Sequence, residues 1–284
     1  MGYLLIVGAA VLWGLLGPAS RFAMRDGVDP LEIAFWRAAL GTVLFGVHAG
    51  AIRRLRVERR DLPAVIAFGV VGIGIFYAAY FQAVRQGGAA LAAVLLYTAP
   101  VWVAVLAWLL RWERMNARKA AALALTLAGV AGLASAAGGE VRVGVGALFW
   151  GLLAGWAYAT HYLFGKRFFD RYPAPTLFLY ALPVGALGLL PLVHFHPAKS
   201  AAAWAVIVFV AIVPTYGAYL LYGAGLRRVE ATRAATVATV EPVVSAVAAY
   251  LVWGERLAPA GYAFAALVLA GVALMVRAGG TRAE

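Results

Sequence analysis

The chain has no cysteine, and only 12 acidic residues and 4 histidines among its 284 positions. Without cysteine there is no disulfide framework, no thiolate nucleophile and no zinc-thiolate site. The His194 and His196 pair has no third ligand nearby in the sequence, so no metal is expected there. A Walker A loop, a dinucleotide fingerprint and an HExxH helix are all missing from the sequence. No cofactor and no ATPase are implied, and any energy must come from a gradient. Charged residues are also scarce, at 13% where a soluble domain carries about 25%.

In their place stands apolar sequence: 64% of the chain, with a mean hydropathy of +0.87. It falls into ten runs: 3–21, 31–51, 63–84, 89–110, 119–136, 144–165, 174–193, 202–225, 232–253 and 259–277. Each is about the ~20 residues that cross a bilayer as helix. The first lacks a basic leader and is too long for a signal sequence, so we expect it to be retained as a span. The net charge of +12 does not suggest nucleic acid, because the basic residues lie in short loops between the runs. Of the Lys and Arg, 17 fall on the side of the N-terminus and six on the other, with Arg37 inside a run. That asymmetry predicts both termini in the cytoplasm, and the Ala- and Arg-rich composition points to a bacterium, hence to its inner membrane.

The chain also contains one stretch twice. From Tyr77 to Leu133, 22 of 57 positions are identical to those from Tyr219 to Met275. Pro100 falls on Pro242, Glu113-Arg114 on Glu255-Arg256, and Tyr77 and Tyr80 on Tyr219 and Tyr222. We therefore expect two units, 1–139 and 140–284, of five helices each. An odd number of spans per unit starts the second copy on the opposite side of the membrane. The expected fold is an all-α polytopic bundle of ten transmembrane helices as two inverted repeats, with alternating access to a site near mid-membrane.

Candidate site residues follow from the repeat and from the cost of polar groups in a membrane. Tyr77 and Tyr80 lie three apart on one helical face, as do Tyr219 and Tyr222. Tyr97 and Trp102 flank Pro100, and Trp13 and Trp156 occupy similar places in the first and sixth runs, 143 residues apart. Such rings give apolar area and can face a cation, although Tyr and Trp also gather in interfacial belts. Ionisable groups inside spans are few: Arg37, His161 and Glu241. Each costs roughly 3 kcal/mol on insertion unless it faces water or a partner. The functional reading gives Arg37 a substrate carboxylate, and Glu241 or His161 an ammonium or a proton. The competing reading has Arg37 snorkelling to the interface. Pro100 and Pro242 weaken their helices and are candidate gates. Glu113 and Glu255, at span ends, suit structural work in loops.

This pattern resembles the EamA family of the drug/metabolite transporter superfamily. The resemblance rests on two five-helix repeats, each with a proline, then a Glu thirteen residues on, then an Ala-Gly-Val-rich helix. Trp13, Phe22, Pro30 and Arg37 add to it. Among its members the chain is most similar to bacterial YddG-type exporters of aromatic and other amino acids. The resemblance implies a basket-shaped bundle with a central cavity, with a small-molecule substrate and the lipid bilayer as partners and no ATPase subunit. The implied function is export of small amphipathic metabolites, neutral and aromatic amino acids first among them, together with some aromatic cations. The rivals are export of a lipophilic cation or drug, exchange of a phosphorylated metabolite, and an integral-membrane enzyme.

Overall fold

A computed structural model describes residues 1–136 and 141–278. Within them the chain is helical and has no strands. The elements are α1 (Gly2–Gly14), α2 (Leu16–Arg25), α3 (Pro30–Ala51), α4 (Leu62–Phe68), α5 (Phe76–Leu96), α6 (Ala99–Leu109) and α7 (Ala117–Ala136). They continue with α8 (Val145–Phe168), α9 (Ala174–Leu189), α10 (Ala201–Val210), α11 (Ala218–Leu226), α12 (Ala231–Ala238), α13 (Glu241–Trp253) and α14 (Pro259–Arg277). Among the described residues, eight helical stretches are long and apolar enough to cross a membrane. The longest, Leu62–Leu96, turns at Gly88, whose φ of 85° and ψ of 161° lie outside any helix. Only glycine adopts that conformation without strain. The α8 helix is not among the eight, because its Tyr, His and Gly residues dilute its hydropathy.

The duplication reappears in the irregularities of the helices. Between α4 and α5 the chain makes a π turn over Gly69–Ile75, and between α10 and α11 it makes another over Ala211–Gly217. The two ranges are offset by 142 residues at both ends. Different sequences produce them: the first contains Gly69, Gly72 and Gly74, while the second has Pro214 at the position of Gly72. Proline cannot donate to the ladder and crowds the carbonyl four residues back, which a wider turn relieves. The breaks match as well. Helix α5 stops at Leu96 and α6 starts at Ala99; α12 stops at Ala238 and α13 starts at Glu241. Pro100 and Pro242 are each the second residue of a new helix, where a missing N–H costs nothing. The expected kinked spans are thus helices that end and restart.

Packing is dominated by the pairs α7 with α14, α5 with α8, α3 with α9, and α1 with α11. The α7–α14 contact needs glycine. A Cβ on Gly129 would lie 2.7 Å from the Val268 backbone nitrogen, and one on Gly271 would lie 2.9 Å from that of Thr126. These two contacts exchange under the 142-residue shift, 129 with 271 and 126 with 268.

Arg233 ties both ends of the described chain together, donating to the Tyr3 hydroxyl at 3.2 Å and to the Ala278 carbonyl at 3.3 Å. That end of the bundle is the terminal face. It is closed by an ion cluster in which Lys119 and Glu113 are buried and Glu230 is partly exposed. Lys119 (2% exposed) lies 2.7 Å from Glu230 and 4.0 Å from Glu113, and Arg233 lies 2.6 Å from Glu230. Glu113 also accepts from the Thr232 backbone N–H at 3.2 Å. Elsewhere in the loops, Asp61 accepts from Tyr172 at 2.7 Å and pairs with Arg171 at 2.6 Å. The Tyr172 hydroxyl and then the Arg171 guanidinium hold its carboxyl below the usual range, against the opposing cost of burial.

A candidate substrate cavity

A cavity of about 450 Å³ runs into the bundle between the two repeats, within the range usual for small-molecule sites. Its mouth lies among Arg21, Glu255, Arg256 and Leu257. Arg21 and Glu255 form an exposed ion pair there. Since Arg21 lies in the last two turns of the long rod Gly2–Arg25, the mouth is toward the far face, about 27 Å along the helix from Tyr3. Toward the terminal face the path narrows behind Tyr97 and Tyr158. A void bounded by Pro100, Tyr162, Ala235 and Thr239 is too narrow there for a water molecule.

Most of the sequence candidates meet in this cavity. Trp13, Arg37, Tyr77, Tyr80, Tyr97, His161, Tyr219, Glu241 and Pro242 all line it. Arg37 is 4% exposed; its Nε donates to the Thr215 hydroxyl at 2.9 Å, and its guanidinium lies 5.3 Å from the centre of the Tyr77 ring. It is anchored inside the bundle rather than snorkelling. Glu241 is the first residue of α13, where the helix presents free backbone N–H groups that favour a carboxylate. His161 is 4% exposed and ringed by Phe68, Phe76, Tyr158 and Tyr219, with centroids 4.9 to 6.3 Å away. Its Nδ1 has no hydrogen-bond partner among the described residues.

Three candidates lie elsewhere, and Pro100 borders only the narrow void. Tyr222 is 1% exposed and sits behind the wall, against Trp13, Tyr162 and Phe169. The two helices run in opposite directions, since Asp61, ahead of α4 and α5, and Arg227, just after α11, both meet the turn at Asp170 and Arg171. Three residues beyond Tyr77 leads toward the open far face, whereas three beyond Tyr219 leads toward the closed terminal face. Trp102 packs on the hydrophobic core. Trp156 is on the outer surface of α8, 36% exposed. At the true shift of 142, the mirror of Trp13 is Gly155, which packs against the Leu95 carbonyl. One residue is a 100° turn, so the 143-residue likeness put Trp156 on the wrong face.

One aromatic wall residue was not singled out from the sequence: Phe76, whose ring stacks on that of Tyr158 at 5.3 Å. Thr215, which holds Arg37, gave no sequence signal at all.

Inside its charged mouth, the cavity therefore combines the cation Arg37, the acid Glu241, one histidine and a wall of rings. A single family model matches the chain twice, over residues 1–135 and 145–277, and it is that of the EamA-like transporter family. The chain belongs to the EamA-like transporter family. It is a multi-pass membrane protein of a transporter lineage. Similar proteins include an uncharacterized transporter of Archaeoglobus fulgidus, 29% identical over 263 residues and covering 93% of each chain. A probable terminal-alkyne amino-acid exporter of Streptantibioticus cattleyicolor is 28% identical over 277 residues, covering 96% of this chain and 92% of its own. A crystal structure 22% identical in sequence superposes with a TM-score of 0.82, over 98% of this chain and 96% of the other, and shares the fold.

Proposed function

We propose that this EamA transporter exports neutral amino acids, aromatic ones among them, from the cytoplasm by alternating access. The observation that carries the reading is that Arg37 and Glu241 line one aromatic cavity. A zwitterion offers a carboxylate to the first and an ammonium to the second. The rings supply apolar area for the side chain. A lipophilic cation would meet the fixed charge of Arg37, which disfavours it. The similarity to a probable terminal-alkyne amino-acid exporter points the same way.

The reading takes the chain as ten spans, counting the turn at Gly88 as a connection and α8 as a span. It takes 1–139 and 140–284 as inverted units. The matched π turns, the matched helix breaks and the exchanging glycine contacts support that arrangement. With the basic loops in the cytoplasm, this form of the cavity opens outward.

The test is flux of labelled phenylalanine, tryptophan, threonine and a lipophilic cation in proteoliposomes, with and without a pH gradient. Saturable amino-acid flux that Glu241→Gln and Tyr77→Ala lose supports the proposal. Movement of the cation alone would make this a drug exporter.

A further inference from the structure

We propose that Thr215 is a positioning residue for substrate: it aims the free edge of the Arg37 guanidinium at the substrate carboxylate. The inference rests on the amino-acid reading above and adds the residue that sets its carboxylate selectivity. A guanidinium has two edges able to grip a carboxylate with two parallel N–H bonds. Here the edge bearing Nε is taken up, since Nε donates to the Thr215 hydroxyl at 2.9 Å. Among the described residues, Arg37 makes no ion pair. The outer edge, with both Nη atoms, is left for a ligand in the cavity that Arg37 lines.

Thr215 can act only one way in this pair. Its hydroxyl donates to the Val210 carbonyl, five residues back, at 2.8 Å. With its one proton spent, it offers lone pairs alone, and these suit a guanidinium N–H. Both side chains are almost fully buried, Thr215 at 1% exposure and Arg37 at 4%. Thr215 lies in the second π turn, and the five-residue step to Val210 is the step of that turn. Tyr77 limits movement on the other side, with its ring 5.3 Å from the guanidinium. The arrangement is confined to one half of the duplication. The mirror of Thr215 is Ile73 and that of Arg37 is Leu179, so the other half has an apolar pair at these positions.

The experiment compares half-saturation for phenylalanine and for its methyl ester, which lacks the carboxylate, in proteoliposomes. Wild type, Thr215→Val, Thr215→Ser and Arg37→Met are measured, with melting temperature as the control for folding. Wild type is expected to prefer the free acid. Thr215→Val, which keeps the shape and removes the acceptor, is expected to lose roughly tenfold or more of that preference. Thr215→Ser keeps the hydroxyl and is expected to restore it, which repair of a merely structural defect would not predict for selectivity. Should the valine variant not fold, Thr215→Ala is read the same way. Undiminished preference in Thr215→Val, alongside its loss in Arg37→Met, overturns the role of Thr215 and leaves the amino-acid reading standing. Equal handling of acid and ester by wild type overturns both.

Discussion

Glu113 and Glu255 occupy equivalent places in the two copies of the repeat, yet they lie at opposite ends of the rod formed by α1 and α2. Glu113 belongs to the ion cluster that reaches Tyr3 through Arg233, and Glu255 pairs with Arg21 at the cavity mouth. The first end is shut and its acid is 9% exposed; at the second, both partners stand about half in solvent. Alternating access would exchange those surroundings.

The two glutamates should differ in their contribution to stability. Removing one side of a buried pair leaves Lys119 with less compensation and the Thr232 N–H without its acceptor. Glu113→Ala is expected to cost about 2–4 kcal/mol. Glu255→Ala at an exposed pair should cost about 0–1 kcal/mol. Thermal unfolding of the two variants in detergent checks this, and equal melting temperatures would contradict the burial of Glu113.

Charge at the cavity should matter in a pairwise way. Arg37→Ala is expected to raise half-saturation for amino acids about tenfold or more, the value of a hydrogen bond to a charged group. Arg37→Lys should not restore it fully, since an ammonium lacks the two-pronged edge. Flux measured over a range of substrate concentrations distinguishes this from a loss of folded protein.

The α7–α14 contact should tolerate no side chain. Gly129→Val and Gly271→Val each place carbon within 3 Å of a facing backbone nitrogen. Both are expected to lose the monodisperse peak in gel filtration, and to similar degrees, because each is the other's mirror. Survival of either would show that the two helices can part.

Asp61 should be one of the sources of acid sensitivity in the loops. The carboxyl of Asp61 is held below its usual range by Tyr172 and Arg171. A lowered folded value means that its stabilisation is complete above about pH 4, the unperturbed Asp value, and fades as pH falls through the folded value. The melting temperature of Asp61→Asn should therefore lie below that of wild type at neutral pH. The gap should close in acid.

The repeat was legible in the sequence because Pro, Glu, Tyr and Gly recur at a fixed offset, and the fold uses each of them. Three ionisable residues well inside their spans were equally legible: Arg37, His161 and Glu241 stand out against apolar neighbours, and all three reach the cavity, whereas Glu32, near the start of α3, is buried against Lys199 instead. Matters of phase were not. Trp156 was displaced by one residue, Tyr222 by the direction of its helix, and Trp102 by packing on the core. Phe76 and Thr215 could not be found, because a Phe in an apolar run and a Thr after a proline look like ordinary helix. The π turns were hidden for a different reason. Glycine in one copy and proline in the other give the same backbone, so comparing letters misses what comparing conformations reveals.

One consequence concerns the seam between α7 and α14. Its contacts map onto each other when the copies are exchanged, as across the two-fold axis of a symmetric dimer. Either half thus carries both sides of the same joint. A free half would present a face complementary to itself, and the covalent link between the copies serves to decide which partner that face meets.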